Sequence, residues 1–292
     1  MAESDRLDNK TLSSHRPTEL KRYTITFLKV AAFFMGWALT TAITIPTKNP
    51  AVWRFFAELT PMLSMVLLTV VFVLIEKRKV AVPIREHAGK GVLVGLIVGS
   101  VWIGLAAAVL LATHQLTIVG ANMIQMPWLW MLSAFVNVVM QELLARGYIY
   151  QLLKTNCNLP VAVVVSTALF TLMHGGAFEA GLLPVANVVS MCLFTTALYE
   201  AEGTLLAPIM AHAIWNIVGG VILGGVSLAD DYPSLFNMTP SANTLLSGGS
   251  CKIEGSVVVL VLNVALTLAF AIAARRSKDR RRVAQAETGR AR

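Results

Sequence analysis

Five polar side chains that could together hydrolyse a bond lie within long apolar stretches of the sequence: Glu142, Arg146, His174, His212 and Asn216. A carboxylate can take a proton from water, and a histidine can orient that water or relay its proton. A second histidine and an amide can donate hydrogen bonds to an oxyanion, and such bonds count most where the dielectric constant is low. If these side chains converge, they form a site for hydrolysis by an activated water.

Each of these residues also has a structural interpretation. Glu142 and Arg146 are four residues apart, so they share a helix face and can form an ion pair that holds the helix in place. His174 can bond to a neighbouring helix, and His212 with Asn216 can form a hydrogen-bonded clasp between helices. Because ionisable groups are costly inside a membrane, separate structural exceptions on several helices would be a costly coincidence. The pattern therefore favours one shared site.

The elements that carry these residues are apolar and long. Hydrophobic residues make up 56% of the 292-residue chain and charged residues 14%, and the mean hydropathy is +0.67. A soluble domain usually has about a quarter charged residues. Recurrent apolar stretches of about 18 residues or more predict an all-α, polytopic membrane protein with about eight transmembrane helices in one bundle. The expected spans are 23–45, 52–75, 91–112, 127–153, 160–175, 182–199, 205–223 and 256–274.

The basic residues predict the orientation of the bundle. Lys and Arg are concentrated in residues 1–22, in the loop after the second span and in residues 275–292, whereas the loop between spans three and four has none. Such residues mark the cytoplasmic side, so both termini are expected in the cytoplasm, flanking a bundle over residues 23–274. The position of Arg146, near the cytoplasmic end of the fourth span, predicts a site that opens to the cytoplasm.

Other features narrow the class of protein. The net charge of +8 comes from clusters that flank apolar segments, and no nucleic-acid-binding motif is present. Internal repeats are not obvious, which weakens a transporter interpretation. Glu58 lies early in the second span, near an interface, where it is expected to face water, and a role in the site is the alternative.

The sequence resembles the CAAX protease and bacteriocin-processing family of intramembrane endopeptidases, also called the CPBP or Abi family. That family has three ordered motifs: Glu-Glu-x-x-x-Arg, Phe-x-x-x-His and His-x-x-x-Asn. The matching stretches here are Gln141-Glu142-x-x-x-Arg146, Phe170-x-x-x-His174 and His212-x-x-x-Asn216. Residues 203–212 are also similar to the family's approach to its third motif, and the resemblance covers residues 125–225.

The resemblance implies water-mediated cleavage of a peptide bond inside the plasma membrane of a bacterium. His174 would act with the carboxylate on the water, and His212 with Asn216 would stabilise the oxyanion. The substrate would be a membrane-associated or lipidated protein, or a peptide such as a bacteriocin precursor. Two histidines and a glutamate could in principle bind zinc. No tightly held metal or other cofactor is expected, because there is no His-Glu-x-x-His helix and Arg146 would oppose a cation.

One position departs from the family pattern. The family's first glutamate, usually given the role of general base, is Gln141 here, and an amide cannot usefully accept a proton at neutral pH. Glu142 could serve as the base instead, although an ion pair with Arg146 would make it a poorer one. Three hypotheses follow. The chain is an intramembrane endopeptidase, an inactive family member that binds a membrane partner, or a transporter.

Overall fold

The computed structural model describes residues 4–229 and 231–290, with side chains for residues 19–229 and 231–279. The ends of the two predicted tails, 1–3 and 291–292, lie outside the described residues. Within these ranges the α-helices are Ser4–Thr40 (α1), Pro50–Ile75 (α2), Ala88–Ala112 (α3), Pro127–Glu142 (α4), Ile149–Asn156 (α5), Leu159–Leu172 (α6), Gly175–Ala180 (α7), Leu182–Glu202 (α8), Leu206–Ile214 (α9), Thr244–Ser247 (α10) and Val257–Arg290 (α11). Two π-helical segments, Leu143–Tyr148 and Trp215–Ile222, follow α4 and α9, and a 3₁₀ helix, Gly249–Gly255, precedes α11.

The described part of the chain has six helices long and apolar enough to cross a membrane. They are Glu19–Thr40, Pro50–Ile75, Ala88–Ala112, Pro127–Asn156, Leu182–Glu202 and Gly249–Asp279. Two shorter apolar helices, Leu159–Leu172 and Leu206–Ile222, coincide with the fifth and seventh expected spans. A helical, polytopic membrane fold therefore agrees with the sequence, whereas the number of eight spans stays a prediction.

One end of the bundle, here called the basic end, is held together by ion pairs. Lys154 and Lys278, from α5 and α11, both bond to Glu200 at the end of α8. Close by, Lys90 at the start of α3 lies 2.8 Å from Glu202. The first half of α1, the loop between α2 and α3, the α5–α6 turn and the described end of α11 all lie at this end, because consecutive spans alternate in direction.

A small antiparallel sheet covers the opposite end, here called the sheet end. Strand β1 (Leu116–Ala121) pairs with β2 (Phe236–Pro240), and the register is irregular between Ile118 and Gly120. The expectation of a purely helical chain did not include these strands. They connect the loop after α3 to the long loop after the second π-helical segment.

Helix α3 packs very closely against α9 through a row of glycines. A Cβ atom added at Gly95 would lie 2.4 Å from the carbonyl oxygen of Ala207, and one at Gly99 would lie 2.7 Å from that of Ala211. Small residues four apart allow this backbone approach between membrane helices. The contact fixes the position of α9, the helix that carries His212.

Candidate active site

A cavity of about 640 Å³ opens at the sheet end of the bundle. Four residues of the three motifs line it: Gln141, His174, His212 and Asn216. Its walls come from α2, α4, α8, α9, the segment around α7, the second π-helical segment, the loop after that segment and the 3₁₀ helix before α11. The structure thus brings the three motifs to one enclosed space, although the two ion-pairing residues of the first motif are not among those that line it.

Glu142 lies behind the cavity wall and bonds to two other motif residues. Its Oε1 atom accepts a hydrogen bond from Arg146 Nη1 at 2.8 Å and lies 2.9 Å from His212 Nδ1. A carboxylate only accepts, so Nδ1 of His212 carries the hydrogen and Nε2 keeps its lone pair. Glu142 and Arg146 are fully buried, and His212 is 1% exposed. The expected ion pair is therefore present, and the same carboxylate also fixes the tautomer of His212.

Arg146 is held from several directions. Its Nη2 atom donates to the carbonyl oxygen and to Sγ of Cys192 at 3.0 and 2.9 Å. Its Nε atom donates to Thr196 Oγ1 at 3.3 Å, and its guanidinium lies 4.9 Å from the centre of the Phe170 ring. Because these contacts leave the guanidinium little freedom, Glu142 is anchored on the side away from the cavity.

The π-helical segments lie at the first and third motifs. Arg146 is within Leu143–Tyr148, where Gly147 departs from helical geometry with φ −75° and ψ −116°. Asn216 lies in Trp215–Ile222, directly after the α-helix of His212. Such wide turns occur often at functional sites, because they rotate the side chains that follow relative to a regular helix.

His174 lies where the chain leaves α6. Its Nδ1 atom is 2.8 Å from the carbonyl oxygen of Phe170, so the nitrogen donates there and Nε2 is left as the acceptor. The Phe170 ring lies 4.5 Å from the imidazole, centre to centre. Phe170 thus contacts both His174 and Arg146, which explains in physical terms why an aromatic residue occupies this place in the motif.

Gln141 joins a chain of polar contacts that the sequence did not predict. Its Nε2 atom donates to Asn137 Oδ1 at 2.7 Å, and Asn137 Nδ2 donates to Glu58 Oε2 at 2.7 Å. Glu58 also accepts from Arg54 Nη1 at 3.1 Å. Asn137 and Glu58 both line the cavity with Gln141. A carboxylate is therefore present in the cavity wall, two hydrogen bonds away from the amide that replaces the family's glutamate.

Glu58 was expected to face water, but its side chain is buried, with the residue 6% exposed. The spacing of Arg54 and Glu58, four residues apart on α2, was the available signal for this pair. Arg54 also bonds to Asp231 in the loop after the second π-helical segment. This contact ties the start of α2 to the loop that forms one wall of the cavity.

Tyr232 completes that wall. Burial, and then the nearby negative charge of Glu58, raises the pKa of its phenol above the ordinary value. The phenol therefore stays protonated at neutral pH, so Tyr232 contributes a neutral hydroxyl to the cavity.

Within the part of the chain that the structure describes, no three His, Cys, Asp or Glu side chains are grouped so that they could hold a metal ion. His212 gives its Nδ1 hydrogen to Glu142, and His174 gives its own to a backbone carbonyl. These bonds orient both rings, so the two imidazoles are already fixed by protein contacts.

The position of the cavity differs from the expectation drawn from Arg146. The cavity was expected to open towards the end that carries the termini. Its walls instead include the loop residues Ser227 to Ala229, at the sheet end. The two expectations, cytoplasmic termini and a cytoplasmic opening, therefore conflict with each other in this fold.

Residues 123–218 match the family model described as Type II CAAX prenyl endopeptidase Rce1-like. A search of curated proteins and a search of solved structures found no match to the chain. The matched residues include all three motifs, from Gln141 to Asn216, and they correspond closely to the stretch whose resemblance was noted in the sequence. This segment of the chain is therefore similar to the CAAX protease (CPBP) family of membrane endopeptidases, and the match supports assigning it to that family.

Proposed function

We propose that the protein is an intramembrane endopeptidase that hydrolyses a peptide bond in a membrane-associated protein or peptide by means of an activated water. The match to a prenyl endopeptidase family supports this reaction class. The arrangement of His174, His212 and Asn216 around one cavity supports it independently.

The observation that carries the proposal is the buried contact between Glu142 and His212. With Nδ1–H directed at the carboxylate, Nε2 of His212 can accept a proton from water, and Glu142 stabilises the imidazolium that results. The same division of roles between a carboxylate and a histidine operates in serine proteases. His212 is then the general base, and Glu142 is a positioning residue rather than the base itself.

The proton and electron movements balance without any further reactant. Water gives a proton to His212 Nε2, and its oxygen attacks the carbonyl carbon to form a tetrahedral oxyanion. The amide group of Asn216 donates a hydrogen bond to that oxyanion, and such donors contribute most when they are fixed in advance. The proton on His212 then passes to the leaving nitrogen as the C–N bond breaks.

Gln141 and His174 complete the site in this proposal. One N–H of the Gln141 amide is used by Asn137, and the second can donate to the substrate. His174, fixed through Nδ1, presents Nε2 as an acceptor that can orient the attacking water. The amide at position 141 thus serves in binding, and no proton needs to pass through it.

A second function is favoured by the residue at position 141 itself. Because the usual base position holds an amide that is fixed by Asn137, the cavity could bind a membrane partner without cleaving it. The two functions make opposite predictions for the same experiment, since only the first requires a proton-accepting His212.

The test is cleavage by the purified protein in lipid bilayers. A library of quenched fluorescent peptides, each carrying a lipid anchor, is incubated with the parent, with His212→Ala and with His174→Ala. We expect cleavage by the parent and its loss in both variants. Binding of peptides by a parent that cleaves none of them would favour the second function, and undiminished cleavage by both variants would refute the first.

A further inference from the structure

We propose that the cavity receives its substrate from the non-cytoplasmic side of the membrane. The substrate would then be an exported polypeptide, or the outer segment of a membrane protein. The hydrolytic step rests on the proposed function above, whereas the side on which the cavity opens rests on geometry and charge alone.

The walls of the cavity locate its mouth. They include His174 to Ala177 and Glu179 to Ala180 around α7, and Ser227 to Ala229, Tyr232, Cys251 and Glu254 from the segment before α11. All of these belong to the sheet end. Among the residues described, none that lines the cavity comes from loops 76–87, 157–158 or 203–205, which lie at the basic end.

The length of α6 explains why the cavity exists at this end. Its 14 residues span about 21 Å at 1.5 Å per residue, less than the roughly 30 Å hydrocarbon core of a bilayer. The helix starts at the basic end, where neighbouring Asn156 donates to Thr26 Oγ1 at 3.0 Å. It therefore ends before the opposite surface, and His174 lies at the bottom of a depression at the sheet end.

The charges indicate which end faces the cytoplasm. At the basic end, loop 76–90 contains Lys77, Arg78, Lys79, Arg85 and Lys90, and the segment after the last span contains Arg275, Arg276 and Lys278. At the sheet end, the connecting segments 41–49, 113–126, 173–181 and 223–256 together contain two basic residues, Lys48 and Lys252. Connecting segments rich in Lys and Arg stay in the cytoplasm. The sheet end is therefore the non-cytoplasmic end.

Two contacts between polar groups hold the wall of the mouth in place. Glu254 Oε2 accepts a hydrogen bond from the backbone N–H of Ser227 at 3.0 Å, which joins the loop after the second π-helical segment to the 3₁₀ helix before α11. Arg54 and Asp231 join the same loop to α2. A polypeptide at the outer surface can reach the histidines through this mouth. A cytoplasmic tail would have to cross the packed bundle first.

The native cysteines provide matched reporters for the two ends. Cys251 lines the cavity and is partly exposed, Cys157 is partly exposed at the basic end, and Cys192 is completely buried against Arg146. Cys157→Ser leaves Cys251 as the accessible thiol, and Cys251→Ser leaves Cys157. Each variant is produced in bacteria and treated, as spheroplasts, with a membrane-impermeant maleimide before and after permeabilisation.

We expect Cys157→Ser to be labelled in intact spheroplasts and Cys251→Ser to be labelled only after permeabilisation. The reverse pattern would overturn the proposal. A further variant covers the case in which Cys251 reacts slowly. Ala180→Cys, in a background that carries both serine substitutions, places an exposed thiol at the same mouth. Labelling of that thiol in intact spheroplasts supports the proposal, and labelling only after permeabilisation refutes it.

A vesicle assay separates this inference from the proposed function. The lipid-anchored peptides are added outside sealed right-side-out or inverted vesicles that contain the parent. We expect cleavage at least tenfold faster in right-side-out vesicles, and faster cleavage in inverted ones would contradict the inference. Outside labelling without cleavage in either preparation would refute the endopeptidase function, while the position of the opening would still stand.

Discussion

Glu142 Oε1 lies 2.9 Å from His212 Nδ1 and 2.8 Å from Arg146 Nη1, so one buried carboxylate oxygen connects the first and third motifs. Its second oxygen, Oε2, is buried and has no hydrogen-bond partner among the described residues. Because the Glu142 carboxylate is buried, its two hydrogen-bonding partners hold it in place, and solvent does not. In the proposed mechanism, His212 rather than Glu142 is therefore the group that meets the substrate.

The role of position 141 can be tested by restoring the family's residue. If His212 is the base, Gln141→Glu adds a carboxylate that the mechanism does not require. We therefore expect a change in kcat far smaller than the roughly 10²–10⁴-fold that a general base contributes. The measurement is kcat and KM on one cleaved peptide. A silent parent that becomes active with Gln141→Glu would instead support the inactive, partner-binding function.

The chain of contacts from Gln141 through Asn137 to Glu58 should behave as one unit. Asn137→Ala leaves a buried carboxylate oxygen without its donor, and an unsatisfied buried group costs about 1–3 kcal/mol. Glu58→Ala removes the carboxylate itself, so Asn137→Ala leaves no unsatisfied oxygen in that background. The losses of stability in the two single variants should therefore not add. We expect a coupling energy of about 0.5–3 kcal/mol from thermal unfolding of the two single variants and the double variant.

The control for that cycle is Glu179→Ala, since Glu179 also lines the cavity but is exposed and makes no described hydrogen bond. Combined with Asn137→Ala it should show additive effects. If the changes in stability caused by Glu58→Ala and Asn137→Ala are additive, the two residues are not energetically coupled.

The glycine row on α3 gives a prediction with an internal control. Gly95→Ala places a Cβ 2.4 Å from the Ala207 carbonyl oxygen, so α3 and α9 must move apart, whereas a Cβ at exposed Gly104 meets nothing within 4 Å. Both changes gain the same helix propensity, about 1 kcal/mol. We expect Gly104→Ala to be neutral or stabilising and Gly95→Ala to destabilise by about 1–3 kcal/mol, as overpacking does.

The same pair of variants should also differ in activity, because α9 carries His212. Thermal unfolding and kcat are measured on both proteins in the same lipid. Equal stability and activity of Gly95→Ala and Gly104→Ala would show that the close approach of α3 to α9 does not position the site.

The parts of this protein that could be predicted from sequence are local. Apolar stretches identify the helices because each stretch carries its own signal, and the three motifs are recognisable by residue type and spacing. The ion pair between Glu142 and Arg146 also followed from their spacing on one helix. His212, the second partner of that carboxylate, is 70 residues away, so its contact depends on how the helices pack.

Other features could not be read from the chain for the same reason. Strands β1 and β2 are separated by more than a hundred residues in the sequence. The pairing partner of each strand therefore cannot be recognised from the residues next to it. The depth of Glu58 in the bundle depends on Asn137 and on the loop that contains Asp231. Which of Gln141 and Glu142 lines the cavity depends on helix rotation within the packed bundle, and sequence spacing does not determine that rotation.

The most direct test of the central claim compares Glu142→Gln, His212→Gln and the double variant in the peptide-cleavage assay, with thermal unfolding measured on each. Replacing the orienting carboxylate by its amide lowers kcat roughly 10⁴-fold in serine proteases. We expect a comparable loss in each single variant and little further loss in the double variant, because the two residues act as a unit. A His212→Gln variant that folds and retains the parent's kcat would contradict the claim.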